Sequence, residues 1–260
     1  MAWTQLAQQF LLELGFGVLL ALAFVPSAPV GTLFYRLMGT CAALPVAAAF
    51  VVRLRAGAPW SDPAVLAGGL ALCAYPIYSG PVRGVRWAAG LGAGLVGSAL
   101  ATGWIVRQGL PELASFGQLV GVLSSLATGA VAGSVGLAMV LGHWYLTVPK
   151  LEIRHLARLN RVTVVAMLAS LVSLGAACLV FAEVLGRGEP PLFGPWGLFY
   201  LGTRFAVGLA LPLVFAAMAA SALRFQNTRS ATGILYASTV LVLIGTAVSV
   251  FLQDSYRVPL

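Results

Sequence analysis

The sequence predicts an all-α protein, a polytopic transmembrane helical bundle of about eight spans with both termini outside. Three observations predict it. Of 260 residues, 60% are hydrophobic and only 8% charged, and mean hydropathy is +0.96, whereas soluble domains carry about 25% charged and 45–50% apolar residues. The apolar residues come in runs of about 20, the length a helix needs to cross a hydrocarbon core of roughly 30 Å. Most of the cations gather between those runs. There are too few charges to cover a water-soluble globule, and disordered chains are poor in apolar residues, so disorder is excluded too. No alternating strand pattern recurs, which argues against a β-barrel.

The runs fall at 4–25, 31–52, 64–80, 87–106, 114–146, 162–186, 197–223 and 230–252, and they make residues 1–260 a single transmembrane domain. A cleavable signal needs a positive region before its apolar core. Here the first Arg is Arg36 and Glu13 interrupts the first run, so that run is expected to stay as a membrane helix. The third run is short and holds Pro76, which predicts a kinked, tilted or partly re-entrant segment. The fifth is too long for one perpendicular span and must tilt or project. Turn chemistry separates the runs, as in Pro26-Ser27-Ala28-Pro29, Gly57-Ala58-Pro59, Gly80-Pro81, Gly109-Leu110-Pro111 and Gly188-Glu189-Pro190-Pro191. The longest connection, Thr147 to Arg161, is too short for a soluble domain. Small residues line one face of the fourth span (Gly90, Gly94, Gly97, Ala101) and of the fifth (Gly121, Ser125, Gly129, Gly133). They are read as packing faces, because close backbone approach supplies contact energy between lipid-solvated helices.

Fifteen Lys and Arg against seven Asp and Glu give a net charge of +8, and fourteen of the fifteen are Arg. With eight spans, one side carries Arg53, Arg55, Arg107, Arg187 and Arg257. The other carries Arg83, Arg86, Lys150, Arg154, Arg158, Arg161, Arg224 and Arg229. The richer side faces the cytoplasm, which puts both termini outside a bacterial inner membrane. No basic helix or aromatic-and-basic sheet face speaks for nucleic acid. Cys41, Cys73 and Cys178 sit singly in apolar runs without CxxC spacing, and read as small buried hydrophobes.

Charges at membrane depth are functional candidates by default. Glu13 lies near the middle of the first span, with Gln5 and Gln9 on the same stripe. Arg36 is a turn inside the second span and either pairs with Glu13 or snorkels to head groups. Glu183 and Arg204 flank the loop 187–196, close enough in sequence for an ion pair that would act as a brace or a ligand site. At the cytoplasmic end of the fifth span, Gly142-His143-Trp144-Tyr145-Leu146-Thr147-Val148-Pro149 joins interfacial aromatics to a histidine. It reads as an aromatic belt or as a quinone pocket in which His143 meets a carbonyl. The stretch Lys150 to Arg161 alternates cations and apolar residues. With Arg224 and Arg229 it is expected to form a basic docking surface, the first part as a short amphipathic helix on the membrane.

Only His143 and His155 are present, and His155 is expected at the surface, so a di-haem cytochrome is excluded. There is no Walker A, HExxH or GxSxG motif, and no ligand set for a metal. No covalent or metal-bound cofactor is therefore expected.

The strings GHWYLTVPKL and FYLGTRFAVGLALPLVFAAMAASALRFQNTRSATGILYASTVLVLIG resemble uncharacterised bacterial polytopic membrane proteins. The eight-span layout with both termini outside resembles the membrane anchor subunits of the dimethyl sulfoxide reductase type. That resemblance implies menaquinone or ubiquinone as a ligand, and iron–sulfur and molybdenum subunits as partners. Such anchors tend to carry an acidic Gly-Glu in the last span, where this chain reads Gly245-Thr246-Ala247-Val248. The leading expectation is thus a non-catalytic membrane subunit of a respiratory or redox complex. Its quinone site would comprise His143, Trp144, Tyr145 and Arg36. The alternatives are a small-solute or ion permease or channel using Glu13 and Arg204, and a scaffold without chemistry.

Overall fold

Seven described helices are long and apolar enough to cross a membrane. The computed structural model describes residues 3–25, 30–82, 84–111, 113–148, 151–187, 190–258 and 260. The expectations placed on Arg83, Pro149, Lys150 and Glu189, and on the turns at 26–29 and 188–189, lie outside the described residues. The seven spans are α1 (Trp3–Leu22), α2 (Gly31–Arg55), α5 (Gly84–Gly109), α6 (Ser115–Thr147), α7 (Arg154–Val180), the broken helix Pro195–Arg224, and α11 (Thr228–Tyr256). Between α2 and α5 lie α3 (Pro63–Cys73) and α4 (Tyr75–Tyr78), and after α7 a short α8 (Ala182–Arg187).

The third apolar run is the kinked one. Pro76 has no N–H to donate and its ring crowds the carbonyl four residues back, so the helix stops at Ala74 and restarts as α4. At about 1.5 Å per residue, Pro63–Tyr78 reaches about 24 Å, short of a full core thickness. Its start is well defined. Pro63 takes the first helical position, and the Asp62 carboxylate caps it by accepting from the Ala64 and Val65 N–H groups at 2.9 and 3.2 Å. Arg53 reaches Asp62 at 2.7 Å and Gln108 at 2.7 Å, tying together the ends of α2, α3 and α5. Burial pushes the Asp62 carboxyl up. The Arg53 hydrogen bond and charge, with the two backbone donors, outweigh that and hold it below the ordinary carboxylate range.

Pro195–Arg224 breaks for a similar reason. It runs as α9 (Pro195–Gly202), a π-helical stretch (Thr203–Ala210) and α10 (Leu211–Arg224). Pro212 removes a donor and crowds the Gly208 carbonyl, and the wider π ladder just before it absorbs the misfit. Gly208 there lies flat on Gly245 of α11, whose Cα would stand 2.7 Å from any Cβ added at 208.

Helix α6 lies in the middle of the bundle, with 72% of its apolar window buried against 28% for α7. Its small-residue face packs on α1 as the spacing predicts. A methyl group on Gly17 would fall on the Gly129 carbonyl, and one on Gly133 on the Gly17 backbone. Likewise Gly90 and Gly94 of α5 receive Ile77 and Tyr78, and Gly97 meets the Ala67–Ala71 backbone of α3. At the opposite end of α2 from Arg53, Phe34 and Tyr35 meet Trp144 and Trp87 edge to face, at 5.4 and 5.9 Å. The polar tips of these rings are satisfied by backbone. Trp144 donates to the Val30 carbonyl at 3.2 Å, Trp87 to that of Tyr78 at 3.1 Å and Tyr35 to that of Val25 at 2.7 Å.

Three expectations are corrected. Arg154, Arg158 and Arg161 are exposed, but they sit on the first turns of α7 itself, which begins at Arg154, and not on a separate surface helix. The apolar residues between them, Leu156 and Leu159, are buried in the core, so the spanning helix simply continues. His155 is therefore on the inner face and buried. Cys41 and Cys73 are exposed and Cys178 half-buried, so the cysteines face outward more than inward.

Candidate functional site

Two side chains of opposite charge are buried where α1, α6, α7, α11 and the π-helical stretch converge. Glu13 and Arg204 are each 1% exposed. Glu13 reaches this depth because α1 and α6 pack backbone to backbone at Gly17 and Gly129, with the Glu13 carbonyl itself against Gly129. That contact sets Ser125 of α6 opposite the carboxylate. Ser125 donates to Glu13 Oε1 at 2.5 Å, and Gln9, one turn earlier on α1, donates to the same oxygen at 2.9 Å. Gln9 also exchanges amide hydrogen bonds with Gln253 of α11, at 3.0 and 3.3 Å. Oxygen Oε2 of Glu13 is buried with no hydrogen-bond partner.

Arg204 projects from the π-helical stretch. One terminal nitrogen donates to Thr128 of α6 at 2.8 Å and to Ser170 of α7 at 2.9 Å, while Nε has no partner. A guanidinium stays charged under nearly all protein conditions, and an unpaired buried charge is costly. The hydroxyls carry no charge, so Glu13 supplies the opposite one. Among the described residues, Glu13 is the charge that acts on Arg204, and Arg204 the charge that acts on Glu13. The two do not form a contact ion pair. The site is thus a pair of opposite charges at membrane depth, each hydrogen-bonded by neutral groups and each with one polar atom unused. Such an arrangement can take up a proton at the unpartnered carboxylate oxygen, or release one.

Of the residues expected to matter, Glu13 and Arg204 are brought together. Arg36 is not their partner; it is exposed, in a cleft of about 240 Å³ lined by Thr32, Leu33, Ser79, Gly80 and Pro81. The expected Glu183–Arg204 pair is replaced. Glu183 lies on α8, 88% exposed, and pairs with Arg187 at 3.6 Å, because α7 ends at Val180 and leaves it outside the packed interior. His143 is exposed and stands 3.4 Å from the Tyr236 hydroxyl of α11. Trp144 serves the aromatic cluster, and Tyr145 donates to the Glu152 carbonyl. The cleft at Arg36 does not include His143, Trp144 or Tyr145. Arg224 and Arg229 are exposed at the α10–α11 turn, at the same end of the bundle as the start of α7. Among the described residues no cluster of His, Cys, Asp and Glu could hold a metal.

Thr128, Ser170 and Gln253 escaped the sequence reading, and Ser125 was assigned to packing. Single hydroxyls and amides in long apolar runs carry no spacing signal. A groove of about 850 Å³ lies between α3, α5 and α6, lined by Leu66, Leu70, Leu100 and Leu119, all outward-facing. It suits acyl chains, and neither Glu13 nor Arg204 lines it. No protein-family model, curated protein or solved structure matches the chain.

Proposed function

We propose that the chain is a membrane permease or channel for a small solute or ion, with Glu13 and Arg204 at its working site. The observation that carries the reading is the convergence of five helical elements on two opposite charges at membrane depth. Burying two ions there costs several kcal/mol each before their attraction is counted, and a bundle needing only cohesion has its glycine crossings for that. A π-helical stretch under Arg204 supports the same reading, since such bulges are frequent at functional sites. The cation count orients the chain with both termini outside a bacterial inner membrane, so that Gln253 and Gln9 lie on the outer side of the site. The test is light scattering by proteoliposomes exposed to gradients of small neutral, cationic and anionic solutes. Wild-type protein speeds the flux of at least one class, and Glu13→Gln abolishes the gain.

A second reading keeps the chain as the membrane subunit of a respiratory or redox complex, binding menaquinone or ubiquinone. It is favoured by the exposed cations Arg154, Arg158, Arg161, Arg224 and Arg229 at one end of the bundle, a surface suited to a soluble subunit. Purification from native membranes in mild detergent separates the two. Co-purifying iron–sulfur or molybdenum chains, with quinol-dependent reduction lost in His143→Ala, decide for the subunit.

A further inference from the structure

The two oxygens of the Glu13 carboxylate are treated unequally. Oε1 takes both donors, Gln9 Nε2 and Ser125 Oγ, whereas Oε2 is buried without any. An oxygen already accepting two hydrogen bonds has little capacity for a proton, while the other has all of its own. From this asymmetry we infer that Glu13 Oε2 is an exchangeable proton site and that the proton is the coupling ion of this chain, an inference that rests on the transport reading above.

The surroundings select a proton over a metal cation. Sodium or calcium needs several oxygen ligands around it, but among the described residues of the site Oε2 is the one oxygen buried without a hydrogen-bond partner, and the Arg204 charge opposes any second cation. A proton needs one lone pair. The step is balanced as carboxylate plus proton giving the neutral acid, with the new O–H on Oε2 and the Gln9 and Ser125 bonds to Oε1 kept. The side chains that face the carboxyl, Gln9 on α1, Ser125 and Thr128 on α6, Ser170 on α7 and Gln253 on α11, are neutral; α7 also carries His155 and α11 Asp254, but among the described residues Arg204 is the charge that acts on it.

Protonation would also remove the counter-charge of Arg204. The guanidinium then rests on two hydroxyls alone, Thr128 and Ser170. Its backbone is the π-helical stretch, which can return to α-helical register by a shift of one residue. The proton on α1 is thereby linked to the position of the broken helix Pro195–Arg224. Coupling of this kind requires the two states of that helix to differ in their attraction to Glu13, which a charged and a neutral carboxyl provide.

The experiment is infrared spectroscopy of the full chain in lipid vesicles, titrated from about pH 5 to about pH 9, a window wide enough for a buried carboxyl. The expected result is a protonated-carboxyl C=O band that titrates within the window. It is absent in Glu13→Gln, kept in Glu183→Gln, and moved in frequency in Ser125→Ala, where Oε1 loses a donor. A wild-type protein with no titrating band, or a band that survives in Glu13→Gln, overturns the inference. Because the band is read without any solute flux, this failure is distinct from failure of the transport reading. In the first case Glu13→Gln still abolishes flux while no band titrates. In the second the band titrates and no flux is seen.

Discussion

Replacing Gly129 by Ala places a methyl group 2.9 Å from the Glu13 carbonyl carbon and 3.1 Å from its Cα. Non-bonded carbons rest at about 3.5–4.0 Å, so α1 and α6 must separate by roughly 0.5–1 Å at the crossing. Both neighbours are backbone and neither can rotate away. The same separation lengthens the Ser125–Glu13 bond from 2.5 Å towards the outer limit of an O–H···O hydrogen bond, about 3.0 Å. Overpacking costs typically 1–3 kcal/mol, and weakening a bond to a charged group adds about 1 kcal/mol or more. Gly129→Ala should therefore lose about 2–4 kcal/mol of stability. Gly136→Ala is the control: it lies on the same helix with nothing within 4 Å of its added Cβ, and it should be neutral or gain up to about 1 kcal/mol of helix propensity. The assay is equilibrium unfolding of purified protein in mixed micelles, repeated in a Glu13→Gln background to isolate the hydrogen-bond share. Equal stability of Gly129→Ala and Gly136→Ala would refute the backbone-to-backbone crossing and the placement of Glu13 that follows from it.

Three further outcomes are expected. Asp62→Asn keeps the cap but removes the charge; since the folded Asp62 carboxyl is held below its unfolded value of about 3.9, its contribution is complete above that pH and lost as pH falls through the folded value. Unfolding midpoints of wild type and Asp62→Asn should differ at pH 7 and converge in strong acid, and a constant gap across the titration would contradict the pairing. Tyr35→Phe removes the hydrogen bond to the Val25 carbonyl and should cost about 1 kcal/mol, read in the same unfolding assay. Arg204→Met leaves Glu13 buried without a counter-charge and should cost about 3–5 kcal/mol, while the double replacement Glu13→Met with Arg204→Met should lie near wild type or above it. A double variant as unstable as the single one would mean that the pair is a brace.

Much of the architecture was legible because membrane spans follow from length and hydropathy, and seven of the eight expected runs are long apolar helices. The eighth was expected to kink at Pro76 and does. The glycine faces of α5 and α6 were legible too, since a four-residue spacing of small side chains has one physical use between helices. The partners of the charges were not. Sequence proximity suggested Glu183 for Arg204, but where α7 ends is set by the turn at Phe181, and that strands Glu183 outside. Ser170 and Gln253 join the site only through packing of α7 and α11, which no periodicity encodes. His155 was misplaced because the cations on either side of it imply a surface helix, whereas the buried Leu156 and Leu159 show the span already under way.

The central claim is that Glu13 and Arg204 are kept for work and not for cohesion, and solute flux through proteoliposomes tests it most directly. Wild-type vesicles should equilibrate at least one class of small solute faster than protein-free vesicles. The double Glu13→Met, Arg204→Met variant, although folded, should match the protein-free rate. Flux in the double variant equal to wild type, or no flux in either, would contradict the claim.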